Sequence, residues 1–332
     1  MSDRDLRERI RRRFLDAGFT KVGFTSAEPV DDLASPWVAA GRHATMAYMA
    51  RAPAARADPR SLLAGARTIV CVAAAYPPGD GHQPIAGYAC AEDYHRTMKA
   101  ALRRVVDALA GDVPGAHARV CVDTAPLLER ALAARAGLGW IGKNTMLMDD
   151  LHGPWMLLGE VLLDVALPPD APVADRCGTC TACLDACPTG ALDAPHALDA
   201  RRCLSYWTIE HRGPLPPAWA DALGHRAFGC DDCLVACPFG ARATTGRAAG
   251  AATPEAAPPV CAGGGGDETR ASAEVRPIQP RPDLAALDLD ALRARARASF
   301  RRHLASTPVE RARKHGLLRN LEACRPPPDR DG

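Results

Sequence analysis

The chain has 332 residues, a net charge of +2 and 24% charged residues, which excludes a disordered polyelectrolyte and leaves room for two or three compact units. Its apolar runs fall well short of eighteen residues, and its opening stretch, MSDRDLRERIRRRFLDAGF, lacks the apolar core of a secretory signal, so neither a membrane span nor export is expected. Thirteen cysteines in such a chain point to metal or redox chemistry in a reducing cytoplasm, not to a disulfide scaffold.

In chain order, residues 3–17 have the spacing of a charged amphipathic helix, and KVGFTSA reads as a short strand. ARTIVCVAAA at 66–75 suits a buried strand closed by the turn at Pro77-Pro78-Gly79. A helix is predicted over 92–111, a strand over RVCVDTA at 119–125, a helix in PLLERALAARAGL, and one or two strands in WMLLGEVLLDVAL at 155–167. Helices alternating with buried strands define an α/β layered domain over residues 1–168. No GxGxxG follows the first strand, so nothing supports dinucleotide binding.

Residues 169–242 are short, cysteine-rich and broken by turns, so their folding energy is expected to come largely from bound metal. CGTCTACLDACP at 177–188 has the spacing C-x2-C-x2-C-x3-C-P, which is specific for iron–sulfur ligation of the two-cluster ferredoxin type. A second group, CDDCLVACPFG at 230–240, lacks its own middle cysteine, and Cys203 fills that vacancy. Because the fourth cysteine of such a run serves the other cluster, Cys177, Cys180 and Cys183 are assigned with Cys237 to one [4Fe-4S] cluster. Cys187, Cys203, Cys230 and Cys233 are assigned to the second. All-cysteine zinc is the bland alternative. Cys71, Cys90 and Cys121 lie in or beside apolar strands and read as core thiols. A ferredoxin-sized chain suffices to carry electrons, so the preceding 165 or so residues imply an acceptor site in the first domain.

Residues 243–283 form a low-complexity linker or insertion containing Cys261, read as a free surface thiol. Residues 284–322 restore helical periodicity. Within 291–320, nine Arg or Lys face one Glu, Glu310, an excess of +8 and the one strongly basic region of the chain. Arg293, Arg297, Arg301, Arg302, Arg311, Arg313, Lys314 and Arg319 are therefore candidates for the phosphates of an RNA stem-loop, against a plain solvated helical face.

YACAEDYHRTMK (88–99), CVDTAPLLERALAARAGLGWIGKNTMLM (121–148), the cysteine constellation and STPVERARKHGLLRN (306–320) together resemble the epoxyqueuosine reductases. The resemblance implies a cytoplasmic, monomeric enzyme. Such an enzyme reduces epoxyqueuosine to queuosine at the wobble position of tRNA, using base-off cobalamin and two [4Fe-4S] clusters fed by an external low-potential donor. It makes Asp123 the proton donor, with an apolar corrin face raising its pKa; read from the residues alone, Asp123 only caps a helix starting at Ala125-Pro126. It gives Asp93 and His95 to the cofactor and substrate, where the residues alone suggest a helix start with a surface histidine. Lys143 and Asn144 would hold corrin amides or the cofactor phosphate, Arg130 would be a polar anchor or an exposed helix residue, and Arg56, with Arg60, belongs to an early basic segment. Ser205, Tyr206, Asp231 and Asp232 flank cluster ligands and would complete the domain junction. One departure is CPFG at 237–240 in place of Cys-Pro-Trp-Asn, where Gly240 is expected to loosen the turn. A corrinoid reductive dehalogenase, an electron-transfer protein and an RNA-binding protein with structural clusters are the competing readings.

Overall fold

The computed structural model describes residues 2–79, 81–245 and 277–325; the greater part of the low-complexity tract, with Cys261, lies outside them. The first helix, Asp3–Asp16, starts at a capping box in which Ser2 Oγ accepts from the Asp5 amide and Asp5 accepts from the Ser2 amide. Strand β1 (Lys21–Ser26) then pairs antiparallel with β2 (Thr68–Ala75). After helix Tyr94–Leu109 come β3 (Ala118–Cys121), helix Glu129–Arg135, the short hairpin β4 (Trp140–Ile141) and β5 (Leu147–Met148), and β6 (Met156–Leu163). The main sheet has the order β1-β2-β6-β3, every pair antiparallel.

The two long strands are central and buried on both faces, which explains their largely apolar sequence, with Glu160 the exception in β6. Val70, Val72 and Ala74 point to the face covered by helices 3–16 and 94–109, where Phe14, Met98 and Leu102 pack. Ile69, Cys71 and Ala73 point to the other, covered by helix 129–135 and the segment leading into the hairpin. The result is three layers, helix on sheet on helix. β3 is an edge strand and ends at Cys121, four residues earlier than the sequence suggests. The chain turns out of the sheet there, and the following helix begins at Glu129 rather than at Ala125.

A separate core joins Ile85 and Ala89 to Leu204, Leu223 and Phe228 and to the C-terminal helices Leu289–Leu304 and Arg313–Ala323. The basic C-terminal segment is thus built into the body of the protein. The last residues of the tract taken as linker are also ordered: Ala91 bridges to Pro280, and Thr97 Oγ1 donates to the Pro277 carbonyl at 2.7 Å.

Asn320, fully buried, holds this junction by donating to the carbonyls of Thr208 and Ala227, each at 2.8 Å. Asn320→Ala strands both buried acceptors and is expected to cost about 1–3 kcal/mol, read as a lower urea midpoint of the cluster-loaded chain.

Candidate active site and cluster-binding segment

Asp123 lies two residues past the end of β3, on a turn where its φ is +54°. That left-handed conformation is uncommon outside glycine, although Asp tolerates it better than most residues. The turn has two anchors. Glu129 Oε1 accepts the Asp123 amide at 2.5 Å, and Lys99 Nζ donates to Thr124 Oγ1 at 2.8 Å. Asp123 therefore caps no helix. Its side chain is 56% exposed although His95, Tyr94, Arg130 and Arg311 lie around it, so it faces an open cleft between them.

Across that cleft, His95 Nε2 meets Asp123 Oδ2 at 2.9 Å, while His95 Nδ1 meets Asp93 Oδ1 at 2.7 Å. Asp93 is the N-cap of helix 94–109 and also accepts the His95 amide at 3.0 Å. The cap thus fixes the histidine, which stacks on Tyr94 with ring centroids 4.1 Å apart. Both residues named from the sequence belong to one relay. Burial alone lowers the His95 pKa, but the bonds and charges of the two carboxylates outweigh it and carry it up to about 9. For Asp123, burial raises the pKa, and His95, Arg311 and Arg130 overcome it, leaving the carboxyl below its ordinary value. In the chain by itself the proton resides on His95; the raised Asp123 that the resemblance implies belongs to a site with the corrin face in place.

Tyr48, Tyr88 and Tyr94 all lie within electrostatic reach of Asp123, and burial raises each of them. Arg311, one of the basic C-terminal residues, stands over the Tyr48 ring and pairs with Glu210 at 2.9 Å. Arg130 donates to the Thr145 carbonyl and so ties helix 129–135 to the GKNT turn. Arg56 donates from Nη2 to the Tyr48 carbonyl at 2.8 Å, but its Nε is buried with no partner among the described residues. Arg60 is occupied elsewhere, by Asp58 and Glu28.

The eight cysteines of the second segment are gathered in two groups. The sulfurs acting electrostatically on Cys183 are Cys237, Cys177 and Cys180; those acting on Cys233 are Cys230, Cys203 and Cys187. Among the described residues no three His, Cys, Asp or Glu side chains gather closely enough to hold one metal ion. Cys180 is exposed, Cys183 and Cys237 are buried, and the second group is half-buried throughout. The Cys187 sulfur accepts the Ala191 amide at 3.2 Å, and the Ser205 hydroxyl and amide bond the Cys203 sulfur.

Lys143 and Asn144 sit against these loops. Lys143 Nζ donates to the carbonyls of Gly178 and Cys180 at 2.7 and 2.9 Å, and buried Asn144 donates to the Cys233 carbonyl at 3.3 Å. One turn between β4 and β5 thus grips both cysteine groups. Asp231 accepts the Gly87 amide at 2.7 Å, and burial pushes its carboxyl up to about 6. Asp232 pairs with Arg226 at 2.7 Å, and the Tyr206 hydroxyl reaches Thr45 Oγ1 at 2.7 Å. Tyr76, Tyr88 and Cys233 pack in one cluster, and Tyr88 meets Tyr94, which stacks on His95, so the second cysteine group adjoins the Asp123 cleft. The CPFG turn is tight rather than loose. A Cβ on Gly240 would meet the Leu234 carbonyl oxygen at 2.1 Å, and Trp155 Nε1 donates to the Gly240 carbonyl at 3.2 Å.

The basic candidates divide. Arg293 bonds Asp290 and the Leu321 carbonyl, and Arg319 bonds the carbonyls of Trp207, His211 and Gly213. These two hold the fold. Arg297, Arg301, Arg302, Arg313 and Lys314 are exposed. Sequence reasoning missed Glu129, Glu160 and Tyr48; a lone glutamate inside the apolar strand MLLGEVLL was the one visible signal.

A proton relay beside a segment with two cysteine quartets defines a class: an iron–sulfur oxidoreductase. The family model described as a 4Fe-4S double cluster binding domain matches residues 176–240, and that for epoxyqueuosine reductase QueG, DUF1730, matches residues 56–124. Epoxyqueuosine reductase of Xanthomonas campestris is 43% identical over 248 residues, covering 71% of this chain and 70% of that one. That of Gloeobacter violaceus is 36% identical over 326 residues, covering 95% and 94%. A crystal structure of epoxyqueuosine reductase with an epoxyqueuosine-modified tRNA-Tyr stem loop superposes with a TM-score of 0.77 at 28% identity, covering 97% of this chain and 81% of that one. The enzyme from Streptococcus thermophilus gives 0.79 at 27%, covering 96% and 80%. The chain belongs to the epoxyqueuosine reductase family.

Because the folded His95 pKa, about 9, lies above its ordinary 6.5, the relay's contribution to stability is full just below pH 6.5, where Asp93 and Asp123 are still ionised, and is lost as pH rises through about 9. The stability gap between wild type and His95→Gln should therefore shrink across that window. In NMR titrations the His95 ring should titrate near 9 and fall toward its ordinary value in Asp123→Asn.

Proposed function

We propose that this protein reduces epoxyqueuosine to queuosine at the wobble position of tRNA. Electrons from an external low-potential donor would pass through two [4Fe-4S] clusters to a base-off cobalamin in the Asp123 cleft. The carrying observation is the Asp93–His95–Asp123 relay, joined to the second cysteine quartet through the packed rings of Tyr94 and Tyr88. We read the protein as a cytoplasmic monomer; among the described residues no helix is long and apolar enough to cross a membrane.

The residues fit the groups this chemistry needs. Two quartets of sulfur atoms supply the ligand complement of two four-iron clusters. The unpartnered Arg56 Nε beside Tyr48 is a buried donor that an amide or phosphate of the corrinoid would satisfy. The corrinoid, when bound, would supply a low-potential metal centre for opening the epoxide.

Converting an epoxide to an alkene consumes two electrons and two protons and releases water. The leaving oxygen departs readily only when protonated. His95 stores a proton on Nε2 against Asp123 Oδ2, and Asp93 holds the ring from behind. Asp123, on an exposed turn, can present that proton to the substrate oxygen and be recharged by His95. Arg297, Arg301, Arg302, Arg313 and Lys314 would meet tRNA phosphates.

Anaerobic turnover of epoxyqueuosine-containing tRNA, read by nucleoside mass spectrometry, tests this reading. Queuosine should appear and vanish when cobalamin is withheld; no product with clusters and cobalamin both bound would defeat the assignment. Asp123→Asn should lower kcat by about 10²–10⁴-fold with clusters intact. Cys203→Ser should halve bound iron from about eight to about four per chain. The double substitution R301E/R302E should raise KM for tRNA by about tenfold or more, with kcat kept and the salt dependence flattened.

A further inference from the structure

We infer that Glu129 is the latch that holds the Asp123 turn in the cleft, and that Glu160 behind it is a proton-bearing partner that keeps the latch in place. Glu129 heads helix 129–135, and its Oε1 accepts the Asp123 amide at 2.5 Å. Nothing in the sheet ladder restrains that amide, because β3 has already ended at Cys121. The residue sits at φ +54°, a conformation that costs on the order of 1–3 kcal/mol and persists where the surroundings impose it. A carboxylate accepting the turn's own amide is such an imposition.

Glu160 lies on central strand β6, opposite Cys121 on one side and Cys71 on the other, fully buried on the face that helix 129–135 covers. Neither of its oxygens has a hydrogen-bond donor among the described residues. Its polar neighbour is the Glu129 carboxyl. Two carboxylates this close without a cation between them repel, and a bond between them exists only once one is protonated. Glu160 is fully buried with no donor to either oxygen, whereas Glu129 is half-buried and already accepts an amide N–H, so burial favours the neutral acid at Glu160. The shared proton therefore resides on Glu160, which donates to Glu129 and leaves the other Glu129 oxygen free for the Asp123 amide. Arg130, the next residue, is drawn to Glu129 and Asp123 and spends its guanidinium on Thr145. Glu129 reaches the relay only through the backbone amide of Asp123, and neither glutamate bonds a relay side chain or a cluster ligand, so both are positioning residues.

The activity arm of the test rests on the proposed role of Asp123; the other two arms do not. With the cluster-loaded full-length chain, Glu129→Ala should speed amide hydrogen exchange in the segment 122–128. It should also lower kcat by about 10²-fold with KM for tRNA unchanged. Glu129→Gln, which retains an acceptor oxygen, should restore slow exchange and bring kcat back to within about tenfold of wild type. At neutral pH the infrared spectrum should contain the C=O band of a buried protonated carboxylic acid that disappears in Glu160→Gln. Glu160→Gln itself, with an amide N–H still directed at Glu129, should keep the segment slow-exchanging. Equal exchange in wild type and Glu129→Ala, equal damage from Ala and Gln, or no protonated-acid band would each overturn the inference. If Glu129→Ala does not fold, the infrared band and the Glu129→Gln exchange decide it.

Discussion

Eight sulfur atoms must be held in two quartets by a segment that has little core of its own, and most of the structure answers to that requirement. Burial pushes the thiols of Cys183, Cys203, Cys230, Cys233 and Cys237 above their ordinary range. Such thiols become thiolates only when a metal centre repays their desolvation. The quartets interlock, since Cys187 leaves the first run to join the second group and Cys237 returns the exchange. The two groups are therefore one unit. The turn at Lys143 and Asn144 then fastens that unit to the α/β layers through carbonyls of both loops.

The same fastening decides where the chemistry takes place. Asp231 follows a cysteine of the second quartet and reaches the Gly87 amide, bringing Tyr88 and Tyr76 between that quartet and the Asp123 cleft. The cysteine groups and the relay belong to different parts of the fold. The relay is an electrostatic sandwich: one imidazolium between two carboxylates, readily protonated because both neighbours are anions. His95 keeps the proton near neutral pH, while Asp123 remains the group exposed to the cleft.

Much of this was legible in the residues. The cysteine quartets follow from spacing because the ligands are close in sequence and their roles interlock by rule. Helix 3–16, β1 and β2 were legible from periodicity and from the turn at Pro77-Pro78-Gly79, since local pattern and burial agree there. The Asp123 turn was not. RVCVDTA reads as one strand, but β3 lies at the sheet edge and pairs only as far as Cys121, opposite Glu160 on β6. Gly240 read as a missing side chain, whereas the fold leaves no room for one, because the Leu234 carbonyl of the preceding turn occupies that space.

Sequence alone determined the cofactor-bearing segment, the alternation of helices and strands, and the basic character of residues 291–320. Each is a matter of composition or short-range spacing, which survives without knowing what lies across the core. Tertiary structure decided which cations remain available and which group holds the proton. Arg319 is consumed by three backbone carbonyls and Arg311 by Glu210, while Arg301 and Arg302 stay exposed. The helix cap at Asp93 and the turn at Asp123, twenty-eight residues downstream of His95, meet only when the edge strand is laid beside helix 94–109. An imidazole's charge depends on what stands within about 3 Å of it, and that distance is a property of the fold.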